Sequence, residues 1–153
     1  MSRKKIILLA DDAPEILNAL RRVISSCGEQ INNREDLREL PPLEVEILTA
    51  LCGHEALAAF RARGADLVVT DFNMPCGHPE ETLNGLTLVE AIRTLNPNVG
   101  IRMVIQTSGV ISNELRAKAA SLNCLVHQKE FVEILKDFVL AALEQWRFQA
   151  VIP

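Results

Sequence analysis

The chain has 153 residues, of which 48% are hydrophobic and 24% charged, and its formal net charge at pH 7 is −4. This length and composition are ordinary for one folded domain and exclude a disordered chain. The negative charge and the lack of long Lys/Arg runs argue against a nucleic-acid partner. No apolar stretch approaches the roughly 20 residues that span a membrane. No signal peptide precedes the first apolar run, so we expect a cytoplasmic protein without membrane contact.

The first half of the chain alternates between strand-like and helix-like patterns. The apolar run Lys5–Ala10 predicts a strand buried on both faces. Pro14 then opens a helix with apolar residues three or four positions apart, and Gly28 is the predicted cap. Glu44–Thr49 predicts the second strand, and Gly53–Arg63 predicts the second helix.

The second half continues this alternation. Strands are predicted over residues 67–71, 101–106 and 124–127, and helices over residues 86–95, from the N-cap Ser112 onwards, and from Phe131 onwards. Five such repeats predict an α/β fold, a flavodoxin-like, doubly wound (βα)5 parallel sheet with strand order 2-1-3-4-5.

We expect one domain over residues 1–143, followed by a C-terminal helix extension or tail over residues 144–153. Two links, Glu29–Leu43 and Cys76–Asn84, are longer than the fold requires. In the tail, Trp146 and nearby apolar residues predict either packing on the domain or contact with a second copy, so a homodimer is possible.

Polar residues follow the predicted strands where each strand ends. Asp11 and Asp12 follow the first strand, Asp71 closes the third, Thr107 follows the fourth and Lys129 follows the fifth. The carboxyl ends of parallel strands form the ligand-binding edge of such sheets, so these side chains are expected to converge. One acid alone would be an ordinary polar loop residue, but the whole set in this order is much harder to explain by chance.

Three clustered carboxylates repel one another unless a cation neutralises them, and Mg²⁺ is the natural candidate. Mg²⁺ beside an ammonium and a hydroxyl stabilises a phosphoryl group in transfer. A carboxylate can itself accept that group as an aspartyl phosphate. A competing metal site, zinc held by the Cys-x-His pairs Cys52/His54 and Cys76/His78, is less favoured because structural zinc motifs more often use Cys-x2-4-Cys spacing.

Taken together, these motifs resemble the receiver domain of two-component response regulators. The resemblance covers about residues 4–143 and is carried by Asp11-Asp12, Asp71-x-x-Met74-Pro75, Asn84-Gly85, Thr107 and Lys129. It implies that Asp71 accepts a phosphoryl group from a histidine kinase or phosphotransfer protein.

The resemblance also implies a role for each residue of the site. Asp12, Asp71 and the backbone carbonyl of Asn73 would ligate Mg²⁺, with Asp11 acting through water. Thr107 would bind a phosphoryl oxygen, and Lys129 would pair with the phosphoryl charge. Apart from its own phosphorylation and dephosphorylation, no enzymatic activity is expected.

The chain departs from the family pattern at three places. Glu130 follows Lys129 where the family usually has proline, Val126 replaces the usual aromatic residue, and the loop between Pro75 and Gly85 is long. The residues after Leu143 are too few for an effector domain, which predicts a stand-alone receiver that signals through an unidentified protein target.

Two other functions compete with this prediction. The first is a receiver-like adaptor that acts without phosphorylation, and Val126 and Glu130 favour it. The second is a phosphohydrolase with an aspartate nucleophile. That function lacks its second acid, because Asn73 stands two residues after Asp71.

Overall fold

A computed structural model describes residues 4–75, 83–98 and 100–149 of the chain. Its strands are β1 (Lys5–Ala10), β2 (Val45–Ala50), β3 (Leu67–Asp71), β4 (Arg102–Thr107) and β5 (Cys124–Gln128). Its α-helices are α1 (Pro14–Asn32), α2 (Gly53–Arg63), α3 (Gly85–Leu95), α4 (Asn113–Ser121) and α5 (Val132–Gln149).

All strand pairs are parallel, in the order β2-β1-β3-β4-β5. The predicted (βα)5 fold class and strand order are therefore confirmed. No helix in the described part of the chain has the length and apolar character that crossing a bilayer requires.

The helices cover both faces of the sheet, and each face has its own core. Side chains of β1, β3 and β4 alternate between the two faces, as the two-residue strand period dictates. On one face, Ile7, Val69 and Val104 pack with helices α1 and α5. On the other, Val68 and Ile105 pack with helices α2, α3 and α4. Burial from both sides holds the central strand β3 in place, including Asp71 at its carboxyl end.

Helix α1 does not end at Gly28, so the predicted cap is wrong. The helix continues to Asn32, because Ile31 extends the buried stripe one turn beyond Cys27. The Asn32 side chain then fixes the exit of the helix. Its Oδ1 accepts from the Leu43 backbone N–H at 2.8 Å, and its Nδ2 donates to the Leu43 carbonyl at 3.1 Å. The first residues of the link Glu29–Leu43 therefore form the last turn of α1, and its last residue, Leu43, is bonded to the same turn.

Helix α5 continues past residue 144, where the tail is predicted to begin. Helix α5 reaches Gln149, and both Trp146 and Arg147 are buried. The Arg147 guanidinium donates to four backbone carbonyls in and around the link. They belong to Ile31, Leu37, Leu40 and Pro41. The end of α5 therefore anchors the link, while the tail residues Val151 and Ile152 lie outside the described residues.

Candidate functional site

Three carboxylates meet at the carboxyl edge of the sheet. Asp11 and Asp12 follow β1, Asp71 ends the neighbouring β3, and the three offer oxygen atoms that all lie within 4.8 Å of one another. Asp11 and Asp71 are 1% and 7% exposed, whereas Asp12 is exposed to solvent. Oxygen atoms grouped in this way are donors that suit a hard divalent cation such as Mg²⁺.

Asp11 is fixed from several directions. Its backbone N–H donates to the Ala50 carbonyl at 3.1 Å, which ties the end of β1 to β2. Its side-chain Oδ1 accepts from the Ala13 backbone N–H at 2.9 Å. Its Oδ2 accepts from the Lys129 ammonium at 2.9 Å. Asp11 is therefore a pre-positioned anchor rather than a freely rotating acid.

Lys129 joins the two buried carboxylates. Its Nζ lies 2.9 Å from Asp11 Oδ2 and 3.2 Å from Asp71 Oδ1. Burial by itself would lower the pKa of Lys129, but its hydrogen bonds and charge interactions with Asp11 and Asp71 raise that pKa overall. The ammonium therefore stays charged at neutral pH.

Asp71 experiences the opposite balance. Burial raises the pKa of Asp71, and the nearby charge of Asp11 raises it further, while the charge and hydrogen bond of Lys129 lower it only in part. The negative charge of Asp71 is therefore only partly neutralised in its buried position. Such a site favours the binding of a cation, or of a group that alters the charge of the carboxylate.

Thr107 and Asn73 lie at the same edge. Thr107 is buried at the end of β4, and its Oγ1 accepts from the Gly109 backbone N–H at 3.1 Å. Its carbonyl accepts from the Lys129 backbone N–H at 2.9 Å, so β4 also orients the lysine. Asn73 is exposed in the loop that follows Asp71. Thr107 thus ends β4, which lies between β3 and β5, and Asn73 follows the end of β3.

The turn after Asp71 is held by helix α3. The Gly85 N–H donates to the Phe72 carbonyl at 2.8 Å, and the Phe72 N–H donates to the Gln106 carbonyl at 2.8 Å. The Asn84 side chain caps α3 by accepting from the Thr87 N–H at 2.9 Å. Residues 76–82 of the predicted long loop lie outside the described residues.

Sequence reasoning missed a buried polar pair beside this site. Gln106 pairs in register with Asp71 on one side and with His127 on the other. Gln106 and His127 are both buried, and their side chains are joined at 3.2 Å. The available signal was a polar residue near the end of each of two strands, but only the register shows that the two residues are neighbours.

The zinc hypothesis stays a prediction. Cys76 and His78 lie outside the described residues, and Cys52 forms no disulfide. Among described residues, the group suited to a metal ion is the carboxylate cluster, which contains no cysteine or histidine.

A cavity of about 820 Å³ opens at the opposite end of the sheet, where the strands begin. It is lined by residues including Lys5, Asp66, Arg102 and Trp146. This cavity is therefore separate from the carboxylate cluster.

Comparisons with known proteins agree with the fold. No family model matches the chain, and no curated protein matches it. Among solved structures, a two-component response regulator from Clostridium difficile is similar with a TM-score of 0.68 and 18% identity, over 93% of this chain and 98% of the other.

Two further solved structures are similar over most of their length. A response regulator receiver domain protein from Clostridium thermocellum has a TM-score of 0.66 and 20% identity, over 95% of this chain and 98% of the other. The Vibrio cholerae chemotaxis protein CheY4 has a TM-score of 0.63 and 22% identity, over 89% and 97%. The chain therefore has the fold of response regulator receiver domains.

Proposed function

We propose that this protein is a response regulator receiver that accepts a phosphoryl group on Asp71 from a histidine kinase or phosphotransfer protein. One observation carries the proposal. The Lys129 ammonium bridges Asp11 and Asp71 at the edge of the sheet where Asp12 and Thr107 also lie. A nucleophilic carboxylate, a fixed cation and a cluster of further acids are the components that an aspartyl-phosphate site needs.

Mg²⁺ fits the acids of this site. Asp12, Asp71 and the Asn73 carbonyl would hold the ion, with Asp11 acting through water, because each offers a hard oxygen donor. When bound, the ion neutralises charge on the phosphoryl oxygens.

The chain's own residues account for the remaining chemistry. An Asp71 carboxylate oxygen attacks phosphorus, an O–P bond forms, and the bond from phosphorus to the donor's histidine nitrogen breaks. Lys129 neutralises part of the charge on the phosphoryl group, because its ammonium is already held 3.2 Å from Asp71 Oδ1. The Thr107 hydroxyl donates to a phosphoryl oxygen after turning away from its local contact with Gly109. That rotation reports the presence of the phosphoryl group.

Exposed apolar residues beside the site support signalling through protein contacts. Phe131, Val132 and Ile134 are 52%, 44% and 42% exposed, and this segment begins two residues after Lys129. Apolar residues left in solvent in this way are typical of contact surfaces. A partner protein bound to this surface would therefore lie next to the site.

The test is phosphorylation by acetyl phosphate in the presence of Mg²⁺, followed by intact mass measurement. The wild-type mass should increase by one phosphoryl group, and EDTA or Asp71→Asn should prevent the increase. Asp137→Asn is the matched control, because Asp137 is exposed on helix α5 and should leave the labelling intact. Continued labelling of the Asp71→Asn protein would refute the assignment.

A phosphorylation-independent adaptor is the second candidate. It is favoured by Val126, a buried aliphatic side chain at the position of the family's usual aromatic residue, and by Glu130 after the lysine. An adaptor would bind its target equally well with and without beryllofluoride, whereas a phosphorylation-controlled receiver would bind differently in the two states.

A further inference from the structure

His127 makes two hydrogen bonds inside the sheet. The residue is 3% exposed and lies on β5, on the sheet face that α1 and α5 cover. Its Nδ1 lies 2.8 Å from the Gln128 carbonyl oxygen, and its Nε2 lies 3.2 Å from the Gln106 side-chain nitrogen. Neither contact belongs to the set of side chains expected to touch the phosphoryl group.

These partners determine where the ring proton sits. A carbonyl oxygen only accepts hydrogen bonds, so Nδ1 must carry the proton that faces Gln128. Burial lowers the pKa of His127, which keeps the ring neutral, although the hydrogen bond to Gln128 partly opposes this shift. In a neutral ring Nε2 is then an acceptor, and it receives the N–H of Gln106. The ring is thus fixed in one tautomer and one orientation.

The bond from His127 acts on the peptide that leads into Lys129. That peptide consists of the Gln128 carbonyl and the Lys129 N–H. His127 donates to the carbonyl, and the N–H donates to the Thr107 carbonyl at 2.9 Å. Both polar groups of the peptide are therefore bonded, on the two sides of β5. The starting point of the lysine side chain is fixed before its ammonium reaches the acids.

The Gln128 carbonyl also accepts from the Phe131 backbone N–H at 3.1 Å, so His127 and the turn after Lys129 together hold this carbonyl. Glu130 is exposed, Lys129 and Glu130 form a turn, and the bond between them is trans. No proline ring restricts the backbone there. The long, flexible lysine side chain must nevertheless place Nζ between Asp11 and Asp71.

We infer that His127 is a positioning residue for Lys129, that it acts through the Gln128 carbonyl, and that Gln106 fixes the orientation of the His127 ring. The positioning itself concerns the unphosphorylated protein. Its effect on phosphoryl acceptance rests on the proposed function.

The experiment compares four proteins by ¹⁵N NMR of the Lys129 ammonium and by phosphorylation with acetyl phosphate. The double variant Gln106→Met/His127→Leu replaces both buried polar partners by apolar side chains, which leaves neither partner unpaired and keeps the fold. His127→Asn retains an N–H donor near the position of Nδ1. Val104→Ala is the matched control, because Val104 lies on the same sheet face and its truncation weakens the core without touching the pair. The fourth protein is wild type.

The expected results separate positioning from stability. In the wild type, ¹⁵N shifts should show a protonated Nδ1 and a bare Nε2 on His127. The double variant should melt close to wild type, yet lose the order of the Lys129 ammonium and accept phosphoryl groups about tenfold more slowly, since a displacement of about 1 Å can cost up to about 100-fold. His127→Asn and Val104→Ala should both retain an ordered ammonium, whatever their melting temperatures.

Three outcomes would overturn the inference: an ordered ammonium in the double variant, equal disorder in Val104→Ala, or a proton on Nε2 of wild-type His127. A different result would refute the proposed function and not this inference. If the wild type fails to accept a phosphoryl group while the ammonium responds as expected, the positioning of Lys129 stands and the phosphoacceptor role falls.

Discussion

Gly85 lies directly against the backbone of Asp71. A Cβ at position 85 would stand 2.5 Å from the Asp71 carbonyl oxygen and 3.0 Å from the Phe72 Cα. Both obstacles are backbone atoms, which cannot rotate away as the end of a side chain can. The first residue of helix α3 therefore determines how closely that helix approaches the end of β3.

Gly85→Ala should displace the end of β3 and reduce phosphoryl acceptance by Asp71. We expect a loss of about 1–3 kcal/mol in the free energy of unfolding, as for overpacking elsewhere. Urea denaturation and intact mass after acetyl phosphate treatment measure the two effects. Gly28→Ala is the control, because a Cβ there meets nothing within 4 Å inside helix α1. It should add about 0.5–1 kcal/mol of stability and leave labelling unchanged.

Asp71→Asn should stabilise the protein without Mg²⁺. The pKa of Asp71 is raised in the folded state, by burial first and by Asp11 second, so its ionisation costs stability as pH rises through that pKa. At pH 7 removal of this charge should raise the melting temperature, because the folded state no longer carries the cost of a buried, only partly compensated carboxylate. Lys129 stays paired with Asp11 in the variant.

Added Mg²⁺ should reverse this ranking. An ion that binds only the folded state stabilises it, and the wild type has one more carboxylate ligand than the Asp71→Asn protein. Melting curves with and without Mg²⁺ therefore provide a check that is independent of phosphorylation. Equal Mg²⁺-induced shifts in the two proteins would contradict the assignment of Asp71 as a ligand.

His127 should make the protein sensitive to acid. Burial lowers its pKa in the folded state below the ordinary value of 6.5, so the unfolded chain binds the proton more readily. The stability from neutral His127 is complete above pH 6.5 and is lost as pH falls through the lower, folded-state pKa. Relative to His127→Asn, the wild type should lose stability as pH falls below 6.5, by at most about 1.4 kcal/mol per pH unit. Parallel stability curves for the two proteins would contradict this.

Arg147 should contribute to stability through the link that it anchors. Its guanidinium donates to four carbonyls, and Arg147→Met should remove this donor from all of them at a cost of about 3 kcal/mol. Arg147→Lys should recover little of this loss, since an ammonium lacks the planar fork that reaches several acceptors at once. Hydrogen exchange should accelerate over residues 33–43 in both variants. Unchanged exchange there would show that the link is held by other contacts.

The fold and the acids of the site were predictable because both follow from local patterns. Alternating strand and helix periods limit the topology to few choices. The rule that strand ends share one edge then brings Asp11, Asp71 and Lys129 together, as the structure does. Their roles in phosphoryl transfer stay predictions.

Long-range contacts explain what the sequence could not predict. Helix α1 continues beyond Gly28, where the sequence predicts its end. Its last turn is held by Arg147, which donates to the Ile31 carbonyl although the two residues are 116 positions apart in the chain. The Gln106–His127 pair similarly depends on the register of β4 with β5. Neither of these two contacts produces a periodic pattern in the sequence from which it could be predicted.

The conformational switch should be confined to the end of β4. Val126 is buried and has no ring that could rotate inward, so activation should rely on Thr107 and the backbone that follows it. The bond from His127 to the Gln128 carbonyl holds β5 in place as well. Amide NMR with beryllofluoride should show its largest shifts over residues 107–112. Equally large shifts over residues 124–131 would show that β5 switches too.

Both sides of the segment between Pro75 and Leu83 are held by contacts near its base. Before it, the Phe72 carbonyl accepts from the Gly85 N–H; after it, Leu83 packs against Gly53, where a Cβ would lie 2.5 Å from Leu83 Cβ. The length of the segment is therefore uncoupled from the placement of Asp71. We accordingly expect insertions, deletions or grafted recognition sequences in this segment to leave the position of Asp71 unchanged.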